Sequence, residues 1–238
     1  THIKDNMHIL LTRPLEDCSE MILKFKSLGH QVSHIPLLII EKMKYEKINF
    51  SEYGGVIFTS TNAVKFLDLD KLNRNILCFC VGNKTEKKAR NFGFQNTIAA
   101  EGNVLNLKEL ILQNYEIKSK PLLYISGEKI SADLDKQLLN EGFNIKRIIN
   151  YRVEHNQKFD KNFVNELKLN VPDLVYVYSQ NSASSLLNFI KINKIENIWM
   201  NTNLMCIGEK TSSILNEIKW KKIFLFNPGE EEFLLYKI

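Results

Sequence analysis

No stretch of this 238-residue chain approaches the 18 or more consecutive apolar residues that a membrane-spanning helix needs. Glycine and proline are scarce, at 10 and 5 residues, which excludes collagen-like and flexible low-complexity chains. Only four cysteines occur, Cys18, Cys78, Cys80 and Cys206, and none forms a CxxC pair. A disulfide framework is therefore not expected, and a reducing, cytoplasmic setting is. The first six residues are polar apart from Ile3, and no apolar segment with a small-residue cleavage site follows, so no secretory signal is expected. Met7 is a candidate natural start, with residues 1–6 an extension. Several catalytic signatures are missing as well: HExxH, GxSxG and GxGxxG do not appear. The five histidines, His2, His8, His30, His34 and His155, are not spaced as metal ligands. No metal site, serine-hydrolase triad or dinucleotide cofactor is expected.

What is present is ordinary globular composition, 44% apolar and 25% charged. Lys and Arg exceed Asp and Glu by five, but the charges are scattered, with no block of like charge that would read as a nucleic-acid arm. Neither a nucleic acid nor a membrane is expected as partner. A mild attraction for anionic small molecules is allowed.

Strand and helix signals alternate along nearly the whole chain. Strands are expected at 9–12, 32–36, 55–60, 76–81, 122–126, 145–151, 174–179, 204–207 and 223–226. Between them lie helical patterns: one from Pro14 to a C-terminal cap at Gly29, then 62–67, 83–92, 106–113, 132–140, 183–192, 208–218 and 231–237. That alternation predicts an α/β fold with mostly parallel sheets and helices on both faces. An internal repeat sharpens the expectation. Val56-Ile-Phe-Thr-Ser-Thr-Asn matches Val175-Tyr-Val-Tyr-Ser-Gln-Asn at an offset of 119 residues. Gly82-Asn-Lys-Thr matches Gly208-Glu-Lys-Thr at 126, and the helix-end glycines Gly29 and Gly142 lie 113 apart. Two similar α/β lobes, flavodoxin-like or Rossmann-like, are the expected architecture.

Four turns follow the carboxyl ends of apolar strands: Thr59–Asn62, Gly82–Thr85, Ser179–Ser182 and Gly208–Thr211. Ligands of open α/β sheets bind beyond those strand ends. The two glycine turns share the G-x-K-T ending of a phosphate loop but lack its upstream glycine, which disfavours ATP. Such turns either cap a helix and do nothing more, or offer backbone N–H groups to an anion such as a carboxylate. Tyr151, at the end of its strand, is either a packing tyrosine or a phenol donor.

Taken together and in order, Leu11-Thr-Arg-Pro, Ile57-Phe-Thr-Ser-Thr-Asn-Ala-Val, Val81-Gly-Asn-Lys-Thr, Tyr124-Ile-Ser-Gly-Glu, Tyr151-Arg-Val, Tyr178-Ser-Gln-Asn-Ser and Ile207-Gly-Glu-Lys-Thr resemble the uroporphyrinogen-III synthase family. The resemblance implies two lobes, one of residues 1–37 with 154–238 and the other of 41–150, joined by linkers 38–40 and 151–153, with a cleft between them. It thereby replaces a cut at the repeat. It implies an enzyme without cofactor or metal; a monomer is expected. The substrate would be the linear tetrapyrrole hydroxymethylbilane, cyclised to uroporphyrinogen III through a spiro intermediate that inverts ring D. By motif it implies Tyr151 as the donor assisting departure of the hydroxyl. Arg13, Thr59, Ser60, Asn62, Thr85, Ser179, Asn181, Gly208 and Thr211 would bind the eight carboxylates, with Lys84 and Lys210 as further partners. Three places depart from the family pattern: Gly54-Gly55, Tyr178-Ser-Gln-Asn and Lys219-Trp220. Two other readings share the architecture: a non-catalytic binding protein for an anionic small molecule, and a sugar-nucleotide transferase. Small size and the missing acidic metal motif disfavour the transferase.

Overall fold

The computed structural model describes residues 6–68, 73–227 and 229–231. The expected helix at 231–237 lies outside them apart from its first residue. The chain divides into two compact units, one built from Thr1–Ile39 and Glu154–Ile238, the other from Ile40–Val153. Among the described residues no helix is long and apolar enough to cross a membrane.

The two-segment unit holds a five-stranded sheet, all parallel. Its strands are β1 (His8–Leu11), β2 (Gln31–His34), β9 (Leu174–Val177), β10 (Asn203–Cys206) and β11 (Lys222–Leu225). Their spatial order is β2-β1-β9-β10-β11. This is the flavodoxin-like order 2-1-3-4-5. The central strands β1, β9 and β10 are buried throughout, as parallel strands covered on both faces must be. Helices α1 (Leu15–Ser27), α6 (Lys161–Leu169), α7 (Gln180–Ile192) and α8 (Gly208–Ile214) connect them. One face packs Leu10, Val175, Leu186, Phe189, Trp199 and Leu204. The other packs Ile9, Leu11, Phe25, Tyr176 and Met205.

The continuous unit holds β4 (Gly55–Phe58), β5 (Leu77–Val81), β6 (Asn96–Ala100), β7 (Leu122–Gly127) and β8 (Ile145–His155), parallel in the order β6-β5-β4-β7-β8. This is the Rossmann order 3-2-1-4-5. Its helices are α2 (Thr61–Lys65), α3 (Asn83–Phe92), α4 (Val104–Asn114) and α5 (Leu134–Asn140). A sixth strand, β3 (Leu38–Lys42), lies beside β8. Met43 N–H donates to the Asn150 carbonyl, and Asn156 N–H to that of Leu37, so these two segments run antiparallel. This one antiparallel pair is compatible with the expected mostly parallel sheets and has a simple reason. One of the two segments leads out of the first unit and the other leads back, so they cannot run the same way.

The two sheets are the same object reached by different routes. Ile9 pairs with Val32 as Leu122 pairs with Ile145, both shifted by 113. Gly55 pairs with Leu77 as Leu174 pairs with Asn203, shifts of 119 and 126. Ile9 pairs with Leu174 as Leu122 pairs with Gly55. Thus β1–β2 correspond to β7–β8, and β9–β11 to β4–β6. In chain order the repeat is tandem. In space, each copy's leading strand–helix–strand piece completes the sheet of the other copy.

Several elements differ from the sequence expectation. β6, α6 and β3 were not expected as regular elements. β6 (Asn-Thr-Ile-Ala-Ala) has three weak strand formers among its five residues and is half-exposed at a sheet edge. α6 is short, and its Asp160 side chain accepts the Asn162 N–H at its start. Pro14 precedes α1 as its N-cap rather than opening it, and Leu28 is the C-cap, with Gly29 beyond it at φ 88°. Gly54 has a packing reason: the Tyr115 side chain, whose hydroxyl donates to the Lys120 carbonyl, occupies the space a side chain at Gly54 would need.

Candidate functional site

In each unit the strand order reverses direction at one place, between β1 and β9 and between β4 and β7. The carboxyl ends flanking that point are where such sheets take ligands. The residues singled out from sequence distribute over both edges. Arg13, Ser179, Asn181, Gly208 and Thr211 lie in the two-segment unit. Thr59, Ser60, Asn62, Thr85 and Tyr151 lie in the continuous one.

At the first edge, Thr12 Oγ1 donates to the Tyr176 carbonyl (2.7 Å) and ties the end of β1 to β9. Arg13 follows, half-buried, with its guanidinium carbon 4.4 Å from the centre of the Tyr178 ring. That cation–π contact uses the ring face, while the Tyr178 hydroxyl donates to Glu231 Oε1 at 2.8 Å. Burial first, and then the hydrogen bond to Glu231, push the Tyr178 phenol well above its ordinary pKa, so it stays protonated. Glu231 is buried, accepts Gly229 N–H on Oε2, and its carbonyl accepts the Tyr176 hydroxyl. Ser179 is an N-cap: its Oγ accepts Ser182 N–H at 3.0 Å and donates to Ser182 Oγ at 2.9 Å. Asn181 is exposed on the first turn of α7.

At the second edge, Ser60 Oγ accepts Asn62 N–H at 3.1 Å and so caps α2. Thr59 Oγ1 lies 3.2 Å from the Tyr124 hydroxyl, bridging β4 and β7 across the reversal point. Burial is the main reason the Tyr124 phenol is raised above its usual pKa. Arg147, on β8, reaches over the end of β7. Its Nε donates to Ser126 Oγ (2.8 Å), and its Nη2 donates to the carbonyls of Gly127 (2.8 Å) and Glu128 (2.9 Å).

Tyr151 owes its direction to a β-bulge. Ser126 pairs with Ile149, but Gly127 pairs with Tyr151, so Asn150 is the extra residue. Because side chains alternate with period two, one inserted residue moves Tyr151 to the other face of the strand. Asn150 turns inward, fully buried, and donates to the Ala63 carbonyl (2.8 Å). The Tyr151 ring stacks on Phe66 and lies so close to Gly127 that a Cβ there would come within 2.7 Å of it. Tyr151 is itself buried, at 9% exposure, within an apolar cluster of this unit, and its hydroxyl meets no protein partner among the described residues.

The two glycine turns are alike. Gly82 and Gly208 have φ of 80° and 72°, and a side chain at either would point into open space. Lys84 and Lys210 beside them are exposed. Thr85 and Thr211 are instead buried, at 5% and 4% exposure. Sequence reasoning missed Arg147, Tyr124 and Glu231. Only Tyr124 sat in a quoted motif; the roles of the others depend on strand register and on the terminal segment.

Among the described residues no group of three or more His, Cys, Asp or Glu could hold a metal ion. The family model described as uroporphyrinogen-III synthase HemD matches residues 19–225. Among solved structures, uroporphyrinogen-III synthetase from Helicobacter pylori 26695 is similar, with a TM-score of 0.65 at 18% identity, covering 98% of this chain and 100% of that one. A mutant uroporphyrinogen III synthase from the extremely thermophilic bacterium Thermus thermophilus gives a TM-score of 0.52 at 14% identity, covering 97% of each chain. At such identities these likenesses speak for the fold. No curated protein sequence matches.

Proposed function

The chain belongs to the uroporphyrinogen-III synthase family, and from that premise we propose that Tyr151 is its proton donor and that the carboxyl edges of its two sheets bind the substrate's carboxylates. The enzyme closes linear hydroxymethylbilane to uroporphyrinogen III, a step of haem biosynthesis, and is a lyase. The reaction loses water and forms a carbon–carbon bond with no net redox change, so its balance calls for no redox cofactor. The family match over 19–225 is the observation that carries this reading, and it favours the enzyme over a non-catalytic binding protein.

The hydroxyl of ring A is a poor leaving group unless it departs as water. Tyr151 suits the donor's task because a phenol has a proton to give and this hydroxyl is unclaimed by protein groups among the described residues. Loss of water leaves an electron-poor azafulvene. The substituted carbon of ring D attacks it, and the resulting spiro intermediate fragments and recloses with ring D reversed. Unrotated closure competes, so the enzyme's main burden is positioning.

Positioning falls to the edges. Arg13 offers a guanidinium, while the turns at Ser60, Asn62, Ser179, Asn181 and Gly208 offer hydroxyls, an amide and backbone N–H groups. Thr59 contributes through its contact with Tyr124. Thr85 and Thr211, three residues after Gly82 and Gly208, are buried and complete the proposed set at the glycine turns. A cytoplasmic monomer acting on this small molecule alone agrees with four free, buried cysteines and scattered surface charge. The test is a coupled assay with freshly made hydroxymethylbilane that separates isomers III and I. Isomer III above the uncatalysed blank is expected, and isomer I alone would overturn the reading.

A further inference from the structure

Five arginines occur in the chain. Arg90 and Arg152 pair with Glu86 and Glu41, and Arg74 is exposed on a loop. Arg13 and Arg147 meet no carboxylate among the described residues, and each stands at the end of a strand that flanks its sheet's reversal point, Arg13 after β1 and Arg147 reaching from β8 over the end of β7. Arg13 already belongs to the binding reading above. Arg147 has no role yet.

The setting of Arg147 is unusual for a purely structural arginine. It is half-buried, and its Nε and Nη2 are held by one hydroxyl and two backbone carbonyls, all neutral. Neither Asp135 nor the Glu128 side chain comes within ion-pair distance among the described residues. Nη1 carries two N–H donors without a protein partner there. The guanidinium is therefore fixed in direction with donors left over. Such a group is prepared for a carboxylate, because its orientation cost has already been met by the fold. Its surroundings add donors of the same preference: the Tyr124 and Thr59 hydroxyls bridge the adjacent strand ends.

We propose that Arg147 is a substrate-binding residue that takes a carboxylate of the linear tetrapyrrole at the edge of the continuous unit. The proposal rests on the synthase reading. Each unit then presents one oriented arginine without a carboxylate partner among the described residues at the end of a strand flanking its reversal point, held by an aromatic face in one case and by a hydroxyl and carbonyls in the other.

Two measurements test it. Steady-state kinetics with fresh hydroxymethylbilane compare the wild type with Arg147→Gln and Arg147→Lys. The Gln variant should raise KM roughly tenfold with kcat within about twofold, as loss of one charged hydrogen bond predicts. The Lys variant should recover part of that loss. An unchanged KM in the Gln variant overturns the proposal. So does an equal rise in both variants accompanied by an equal loss of melting temperature, which marks a structural clamp only. Because a variant can fail to fold, the wild type is also mapped by phenylglyoxal labelling and mass spectrometry, with and without uroporphyrin III. Arg147 should be protected by the porphyrin and Arg74 should not. Equal labelling of Arg147 in both samples overturns the proposal. A wild type that makes no isomer III defeats the synthase reading instead, so the two failures are distinct.

Discussion

The two units share strand order and register, yet differ in how the chain builds them and in what their edges carry. The continuous unit completes itself within Ile40–Val153, whereas the other waits for two segments separated by more than a hundred residues. Its central strand β1 comes from the first segment and pairs with β9 from the second. The edges differ just as much. One sets Arg13 on the Tyr178 ring, braced by buried Glu231. The other locks Arg147 onto carbonyls and sets Tyr151 through a bulge against Phe66. The equal registers teach that the sheet is a reusable frame, while chemistry is written in the few residues after each strand.

The sharpest way to break the comparison is to cut the chain at its joints. A fragment of residues 40–153 should show strand and helix circular dichroism and a cooperative melt, since its sheet and both of its apolar layers are complete. A chain lacking residues 1–37 should lose the sheet of the other unit entirely, because β1 and β2 are gone and β9 is left with a bare inner edge. It should also lose all synthase activity. A fragment 40–153 that stays unfolded would show that the two frames are not independent.

Much of this frame was legible in sequence, and the reason is periodicity. Buried parallel strands such as Val175–Val177 and Leu122–Ile125 are unbroken apolar runs, and glycines mark helix ends. The offsets of 113, 119 and 126 seen between motifs return as pairing registers. The exchange of leading pieces was not legible, because a tandem repeat has the same sequence whichever copy each piece folds onto. β6 escaped notice because its alanines and asparagine carry no strand signal, and β3 because an apolar tetrapeptide between units reads equally as linker. At the site, caps such as Ser60 and Ser179 were readable from their spacing. The direction of Tyr151 was not, since a one-residue bulge at Asn150 leaves no local signature.

A smaller effect probes the edge bracing. Tyr178→Phe keeps the ring under Arg13 but deletes the hydroxyl bonded to Glu231, leaving a buried carboxylate oxygen short of a donor. The expected cost is about 1–3 kcal/mol of stability, read by denaturant titration, with KM rising only modestly. No change in stability would mean that Glu231 does not brace this edge. Tyr178→Ala should also release Arg13 and raise KM further.

The smallest effect concerns acid. His8 opens β1 where the continuous unit has Pro121, the position 113 residues on. Its Nε2 bonds Ser33 Oγ at 2.6 Å, and Nδ1 is buried without a partner among the described residues. Burial lowers its pKa below the ordinary value of 6.5. The native state therefore holds His8 neutral while the unfolded chain protonates near pH 6.5. Stability from this group is complete above that pH and declines as pH falls toward the lowered value. Melting from pH 7.5 down to 5 should destabilise the two-segment unit in the wild type, and His8→Gln should flatten that dependence. An identical pH profile in the variant would remove His8 as the cause.

The central claim is that a shared frame holds the substrate while Tyr151 alone supplies the proton. Single-turnover isomer analysis of Tyr151→Phe beside the wild type, on one batch of hydroxymethylbilane and with both melting curves in hand, tests it most directly. The account predicts isomer III formation slowed on the order of a hundredfold, isomer I from spontaneous closure overtaking it, and a melting temperature within a few degrees of wild type. Isomer III formed by the variant at the wild-type rate would contradict it.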